Sequence, residues 1–72
     1  MKTYHFSVHF DGCEIAHHSE FETTFIKPFD IKEKAKKVLD TKLNDWGFSP
    51  ADLNRFEVYN DEREIIFEWK KQ

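Results

Sequence analysis

The sequence predicts an α+β fold, in which a four-stranded, mainly antiparallel sheet carries one long helix on one face in the order ββαββ. Three observations support this prediction. Apolar and polar residues alternate over residues 4–10 and again on both sides of residues 60–63, as in half-buried strands. Residues 31–46 carry apolar side chains at helical spacing. A chain of 72 residues has room for one domain, residues 1–72, with one core.

The first strand is followed by a turn signal and by a second strand that has two interpretations. The Asp11-Gly12 pair favours a short hairpin turn. Either a long bent strand begins at Cys13, or residues 11–18 form a loop and the strand covers about 19–26. We favour the second interpretation because Phe21 and Phe25 are the better apolar anchors.

The long helix has a start signal, an apolar stripe and a stop signal. Asp30 is a good N-cap, and Glu33 three residues later would close a capping box. The stripe places four residues in the predicted core: Val38, Leu39, Leu43 and Trp46. Gly47 supplies the left-handed position after the helix, and Phe48 can contact Leu43 across it.

The C-terminal part predicts one helical turn and a second hairpin. Residues 49–52 repeat a cap, a proline and an acid, which is typical of a short helical start. If Asn60 opposes Arg63, then Val58 opposes Ile65 and Phe56 opposes Phe67, all on one face. Short connections favour the strand order 2-1-3-4.

Charge is segregated along the chain. The formal net charge of −3 argues against general nucleic-acid binding. Residues 27–42 hold six lysines against three acids, a net charge of +3, whereas the remainder holds five basic and eleven acidic residues, a net charge of −6. A regulator that binds nucleic acid through the lysines of the helix, including Lys32, Lys36 and Lys37, is therefore the alternative function.

The sequence gives no sign of secretion or of membrane insertion. Cys13 is the only cysteine, so a disulfide framework within one chain is impossible. No apolar run approaches eighteen residues, and the N-terminus lacks the apolar block of a signal peptide. We therefore expect a cytoplasmic protein without a membrane span.

The histidines contain the right atoms for zinc but lack the right spacing. His5, His9, His17 and His18 lie near Cys13 and several acids. His5 and His9 share a strand face, yet strand geometry separates them by about 13 Å, too far to bind one ion together. We predict no metal and no other cofactor, and interpret the histidines as solvated groups on the open sheet face.

The sequence predicts no enzyme. No motif marks a general base for Cys13, and no two carboxylates are predicted to share a pocket. One helix on a small sheet also leaves little room for a concave site. We therefore expect a binding protein rather than a catalyst.

The sheet face opposite the helix is the predicted partner-binding surface, with Tyr59 as its anchor. Alternation places acidic and apolar residues around this tyrosine, and the candidate residues are Tyr59, Glu57, Glu64, Ile66, Glu68, Glu20 and Glu22. An aromatic and aliphatic centre with a charged rim suits a protein partner, here one with a basic surface. Alternatively, Ile66 and Tyr59 are a cross-strand pair that supports the sheet.

In size and layout the chain resembles small phage-encoded inhibitors, including some anti-CRISPR proteins. The resemblance covers one compact domain with a helix on an antiparallel sheet, many charges and no active site. It implies a non-enzymatic inhibitor that occupies a surface of a nucleic-acid-handling complex, and it transfers no individual residue. The strand-strand-helix beginning also resembles small antitoxins, although the chain lacks their glycine-rich second strand region.

Overall fold

The computed structural model describes residues 1–71 and shows a four-stranded antiparallel sheet with one helix. The elements in chain order are β1 (Lys2–Phe10), β2 (His17–Thr23), α1 (Pro28–Trp46), a 3₁₀ turn (Pro50–Asp52), β3 (Leu53–Asn60) and β4 (Ile65–Lys70). The strands lie in the order β2-β1-β3-β4, and each neighbouring pair is antiparallel. The predicted fold class and strand order are confirmed.

The core lies between α1 and one face of the sheet, which we call the covered face. Its buried apolar residues are Tyr4, Phe6, Val8 and Phe10 of β1, Phe21 of β2, Phe56 and Val58 of β3, and Ile31, Ala35, Leu39 and Leu43 of α1. Phe6, Val8 and Val58 are 0% exposed because β1 and β3 are the two central strands. Burying one large apolar side chain stabilises the fold by about 1.5–3 kcal/mol, so this cluster dominates the stability.

The second strand is shorter than either interpretation predicted. It begins at His17 and ends at Thr23, after a loop over residues 11–16. Phe21 is buried as predicted, but Phe25 lies beyond the strand and is 44% exposed. The backbone N–H of Phe25 donates to Oγ1 of Thr23 at 3.1 Å. Thr23 pairs with Lys2, the first residue of β1, so β2 ends where its partner strand ends, before the predicted second anchor.

The helix begins earlier than predicted, and the predicted Asp30 cap is wrong. The N-cap is Lys27, which is extended and makes no side-chain capping bond, and Pro28 is the first helical residue. Proline suits this position because its fixed φ matches the helix and its missing N–H would be unpaired there anyway. The N–H of Ile31 then donates to the carbonyl of Lys27 at 3.1 Å, which places Asp30 inside the first turn.

The helix ends as predicted. Gly47 has φ of +80°, a conformation that glycine adopts without a Cβ penalty. The N–H groups of Gly47 and Phe48 both donate to the carbonyl of Leu43, at 2.9 and 3.0 Å. Leu39 and Leu43 are buried as predicted, whereas Val38 and Trp46 are only partly buried against the core.

The predicted register of the second hairpin is wrong by two residues. Val58 pairs with Phe67, and Phe56 pairs with Trp69. Two features cause the shift, one residue each. The Oδ1 of Asn60 accepts the N–H groups of both Glu62 and Glu64 at 2.9 Å, and a bulge lies between the Tyr59–Ile65 and Val58–Phe67 pairs. These bonds hold residues 61–64 in a longer loop, so that β4 starts only at Ile65.

The helical turn after α1 matches its prediction. The side chain of Ser49 accepts the N–H of Ala51, and the N–H of Ser49 donates to the carboxylate of Asp52. This reciprocal pair is a capping box, and it leads directly into β3.

Candidate protein-binding face

The sheet face opposite α1, called here the open face, carries polar and charged side chains on all four strands. Along each strand, residues of the open face alternate with residues of the covered face. The open-face residues are His18, Glu20 and Glu22 of β2, Thr3, His5, Ser7 and His9 of β1, Arg55, Glu57 and Tyr59 of β3, and Glu68 and Lys70 of β4. The pairing register determines which of them meet across the strands. Two different clusters result, one at each end of the face.

The first cluster is built on Tyr59 and His5, which are directly opposite each other on β3 and β1. Their rings stack with centroids 5.6 Å apart and planes inclined by 19°. Nε2 of His5 lies 2.6 Å from Oδ1 of Asp61, and Nδ1 lies 3.7 Å from Oε2 of Glu20. The imidazole therefore joins the β3–β4 turn to the edge strand β2 and holds the tyrosine ring in place.

An open depression of about 560 Å³ lies beside this stack. Its lining combines imidazole and phenol rings with charged groups of both signs, from His5, His18, Ser19, Glu20, Tyr59 and Arg63. Such a mixture of flat rings and charged groups suits a side chain or backbone of another protein.

The second cluster is an ion-pair network centred on Arg55. Its guanidinium lies 3.0 Å from Oε2 of Glu57 and 3.7 Å from Oε2 of Glu68, and Nζ of Lys70 lies 3.4 Å from Oε1 of Glu68. The hydroxyl of Ser7 also donates to Glu57 at 3.5 Å, and the Glu57 side chain is only 15% exposed. Two of the predicted rim residues, Glu57 and Glu68, therefore have their charges balanced within the chain.

The remaining predicted site residues divide between the Tyr59 end and the sheet edge. Glu20 and Glu22 are exposed on β2, and Glu64 is exposed in the β3–β4 turn, where its carboxylate accepts the Asn60 amide at 3.2 Å. A bulge in the β3–β4 pairing places Ile65 opposite Tyr59, while Ile66 is partly buried against the core.

On the open face, the carboxylates without a lysine or arginine partner within residues 1–71 thus lie toward the end beside the β3–β4 turn, where Arg63 also lines the depression. We call this end the Tyr59 patch and define it as His5, Glu20, Glu22, Tyr59, Asp61 and Glu64. Sequence reasoning placed His5 on this face but did not find its contact with Asp61, which joins residues 56 positions apart. Alternation alone holds no signal for that contact.

The histidines predicted to be solvated on the open face do not share one environment. His17 packs in an aromatic cluster on the covered side, with ring centroids 4.9 Å from Trp46, 5.3 Å from Phe10 and 5.4 Å from Phe48. Placing His17 on the open face is therefore wrong, because it pairs with Val8 and shares the core parity. Over residues 1–71, no three His, Cys, Asp or Glu side chains are grouped so as to hold a metal ion.

The lysine face of α1 is the other charged surface. Lys36 and Glu33 form an ion pair of 3.9 Å one helical turn apart. Nζ of Lys32 lies 4.7 Å from the ring centre of Phe29 and 5.2 Å from that of Phe67. Lys37 is exposed and enters no ion pair within residues 1–71. Part of the basic charge is thus engaged with neighbouring side chains.

Comparisons with protein-family models, with curated proteins and with solved structures give no match. Within the described residues, no helix combines the length and apolar character needed to cross a membrane.

Proposed function

We propose that this protein is a non-enzymatic binding protein that inhibits a nucleic-acid-handling complex by covering a basic surface of that complex. The observation that carries the proposal is the Tyr59 patch, where a stacked tyrosine and histidine are surrounded by acidic groups. An anti-defence protein of a phage or mobile element is its most concrete form, favoured by the resemblance in size and layout.

Tyr59 has the properties of an interface anchor. Tyrosine offers a large amphipathic contact area at a small cost in side-chain entropy, and it is enriched among residues that dominate binding. Stacking on His5 restricts the ring before any partner arrives, so less freedom remains to be lost on binding. His5 is itself held by Asp61 and Glu20.

The acidic groups around this anchor suit a basic partner. Glu20, Glu22 and Glu64 are exposed, and none of them has a lysine or arginine partner within residues 1–71. A groove that normally receives phosphates carries the opposite charge, so the patch would steer encounter and raise the association rate. The Arg55 end of the same face lacks this property because its charges are balanced.

The proposal is tested by capture from the lysate of a candidate host, with captured proteins identified by mass spectrometry. Tyr59→Ala should weaken capture, with a binding loss of about 2 kcal/mol if the ring is a hot spot. Lys37→Glu, on the opposite side of the molecule, is the matched control and should capture normally. The captured complex should also lose nucleic-acid binding when wild-type protein is added.

Two results would contradict the proposal. One is a captured partner that keeps its nucleic-acid binding in the presence of saturating protein. The other is capture that survives Tyr59→Ala but is abolished by Lys37→Glu, since this would make the helix the working surface.

The alternative function, a nucleic-acid-associated regulator, is favoured only by the net charge of +3 on residues 27–42. Against it, the chain is acidic in total, and too few lysines are available for many phosphate contacts. We expect duplex DNA to bind no tighter than about 10⁻⁴ M at physiological salt. Micromolar binding with a steep salt dependence, lost on changing Lys32, Lys36 and Lys37 to Glu, would establish the alternative instead.

A further inference from the structure

The imidazole of His5 lies between two carboxylates that belong to different elements. Its Nε2 lies 2.6 Å from Oδ1 of Asp61 in the β3–β4 turn, and its Nδ1 lies 3.7 Å from Oε2 of Glu20 on the edge strand β2. The ring also stacks on Tyr59, and the side chain is only 29% exposed, so the imidazole is held between the two oxygens. Both ring nitrogens therefore face hydrogen-bond acceptors.

The number of protons on the imidazole decides how many of these contacts are hydrogen bonds. A neutral imidazole carries one N–H, and its other nitrogen is an acceptor, whereas an ionised carboxylate only accepts. A neutral ring therefore donates to one of the two carboxylates and presents a lone pair to the other. The imidazolium donates from both nitrogens. Since the contact with Asp61 is the shorter one, it assigns the single proton of the neutral ring to Nε2.

We propose that protonation of His5 at Nδ1 regulates the Tyr59 patch. With His5 neutral, the ring holds the β3–β4 turn through Asp61 and leaves the carboxylate of Glu20 free. As the pH falls and Nδ1 takes up a proton, the new N–H donates to Glu20, and hydrogen bonds then join the edge strand to the turn. The same proton lowers the negative charge of the patch. Its four carboxylates, Glu20, Glu22, Asp61 and Glu64, give a formal charge of −4 with neutral His5 and −3 with charged His5.

The other charged groups around His5 do not produce the same response. Those that face it from the packed elements are His18, Glu20 and Glu22 of β2, Glu57 and Tyr59 of β3, and Asp61 and Arg63 of the β3–β4 turn. Carboxylates, phenols and guanidinium groups ordinarily keep one charge state between pH 5 and 8, whereas histidine changes its charge there. His18 lines the same depression but has no carboxylate within ion-pair distance in residues 1–71, which makes it the matched control.

Protonation should weaken the binding of a basic partner. It removes one negative charge from the patch and engages Glu20 within the chain, and both changes reduce the attraction that steers a basic surface toward Tyr59. This consequence rests on the proposed function, whereas the proton-dependent contact between His5 and Glu20 does not.

An NMR titration of the isolated protein between about pH 8 and pH 5 tests the contact without any partner. The nitrogen shifts of the His5 ring should show the Nε2–H form at the alkaline end and the gain of a second proton at Nδ1 during the titration. The side-chain carboxyl carbon of Glu20 should shift with the same midpoint, because its hydrogen bond depends on that proton. The carboxyl carbon of Glu22, which has no such bond, should show no comparable step.

Three variants identify the source of the step at Glu20. His5→Gln should abolish it, because glutamine takes up no proton in this range, and His18→Gln should leave it unchanged. Asp61→Asn keeps the histidine but removes the charged acceptor at Nε2, so the neutral ring should become a mixture of both tautomers. This last variant tests the assignment even if His5→Gln disturbs the fold.

The proposal is overturned if the His5 ring keeps one protonation state throughout, or if Glu20 shows no step at the midpoint of His5. A neutral ring with its proton on Nδ1 would overturn it as well, since Glu20 would then be bonded before protonation. These outcomes are read from the protein alone, so they are separate from a failure of the proposed function. The regulatory consequence is tested by repeating the lysate capture at both ends of the pH range. Wild type should lose more capture at acidic pH than His5→Gln, and an equal loss would contradict regulation by His5.

Discussion

The two faces of the sheet are built from the same strands but have opposite composition and opposite roles. The covered face is apolar and almost fully buried, with aromatic pairs such as Phe6 and Phe56 at 5.7 Å. The open face is charged, and its side chains contact one another through ion pairs and one ring stack. Such exposed contacts contribute little to stability. The difference indicates that folding depends on one face, so residues on the other can serve binding with little loss of stability.

The largest effect should come from a deletion on the covered face. Leu39→Ala removes a side chain that is 5% exposed and leaves a cavity under α1. The free energy of unfolding should fall by about 2–5 kcal/mol. Urea unfolding measures this loss, with Lys37→Ala on the outer face of the same helix as the matched control. A loss below about half a kcal/mol would mean that this helix face does not carry the core.

A deletion at the centre of the Tyr59 patch should cost the fold much less. Tyr59→Ala removes the stack on His5 but leaves the buried residues of β3 in place. Cross-strand pairs contribute about 0.2–1 kcal/mol, so the free energy of unfolding should fall by no more than that. The same urea measurement applies. A loss as large as that of Leu39→Ala would remove the contrast between the two faces.

The smallest effect should appear in the pH dependence of stability at the sheet margin. Nζ of Lys71 and the amide of Asn54 both donate to the Asp11 carboxylate, at 2.6 and 2.8 Å, and these bonds lower the pKa of Asp11. A lowered folded-state pKa stabilises the fold above the unfolded pKa, and this contribution is lost as pH falls through the folded value.

Asp11→Asn should therefore lower the melting temperature slightly at pH 7 and leave it unchanged at strongly acidic pH. Thermal melts of wild type and variant across this range measure the difference. Exposed pairs contribute little, so the shift is small. A difference between the two proteins that grows toward acidic pH would contradict the assigned contacts.

Local patterns predicted the fold because they depend on neighbouring residues only. The apolar stripe of the helix and the stop at Gly47 follow from spacing and from one conformational preference. The start of the helix was not predicted correctly, because Asp30 and Pro28 are both good start signals and the helix begins at the proline. The predicted hairpin register failed because Asn60 lengthened the loop and because a bulge interrupts the pairing of β3 with β4.

The candidate site was predictable only in part. Alternation places Tyr59, Glu20 and Glu22 on one face, where the structure also has them. The predicted register would put Arg55 opposite Glu68, whereas the structure puts Arg55 opposite Lys70 and Glu57 opposite Glu68, so the arrangement of these four charges did not follow from the sequence. The balanced and unbalanced ends of the open face therefore became distinct only in three dimensions.

Association kinetics with a captured partner test most directly whether the acidic end of the open face is the binding surface. Surface plasmon resonance at low and physiological salt would compare wild type, Glu20→Lys with Glu22→Lys, and Lys34→Glu with Lys37→Glu. The acidic-patch variant should associate more slowly, with a larger defect at low salt, because screening weakens steering. The lysine variant should match the wild type. Normal binding by the acidic-patch variant, together with lost binding by the lysine variant, would contradict the account.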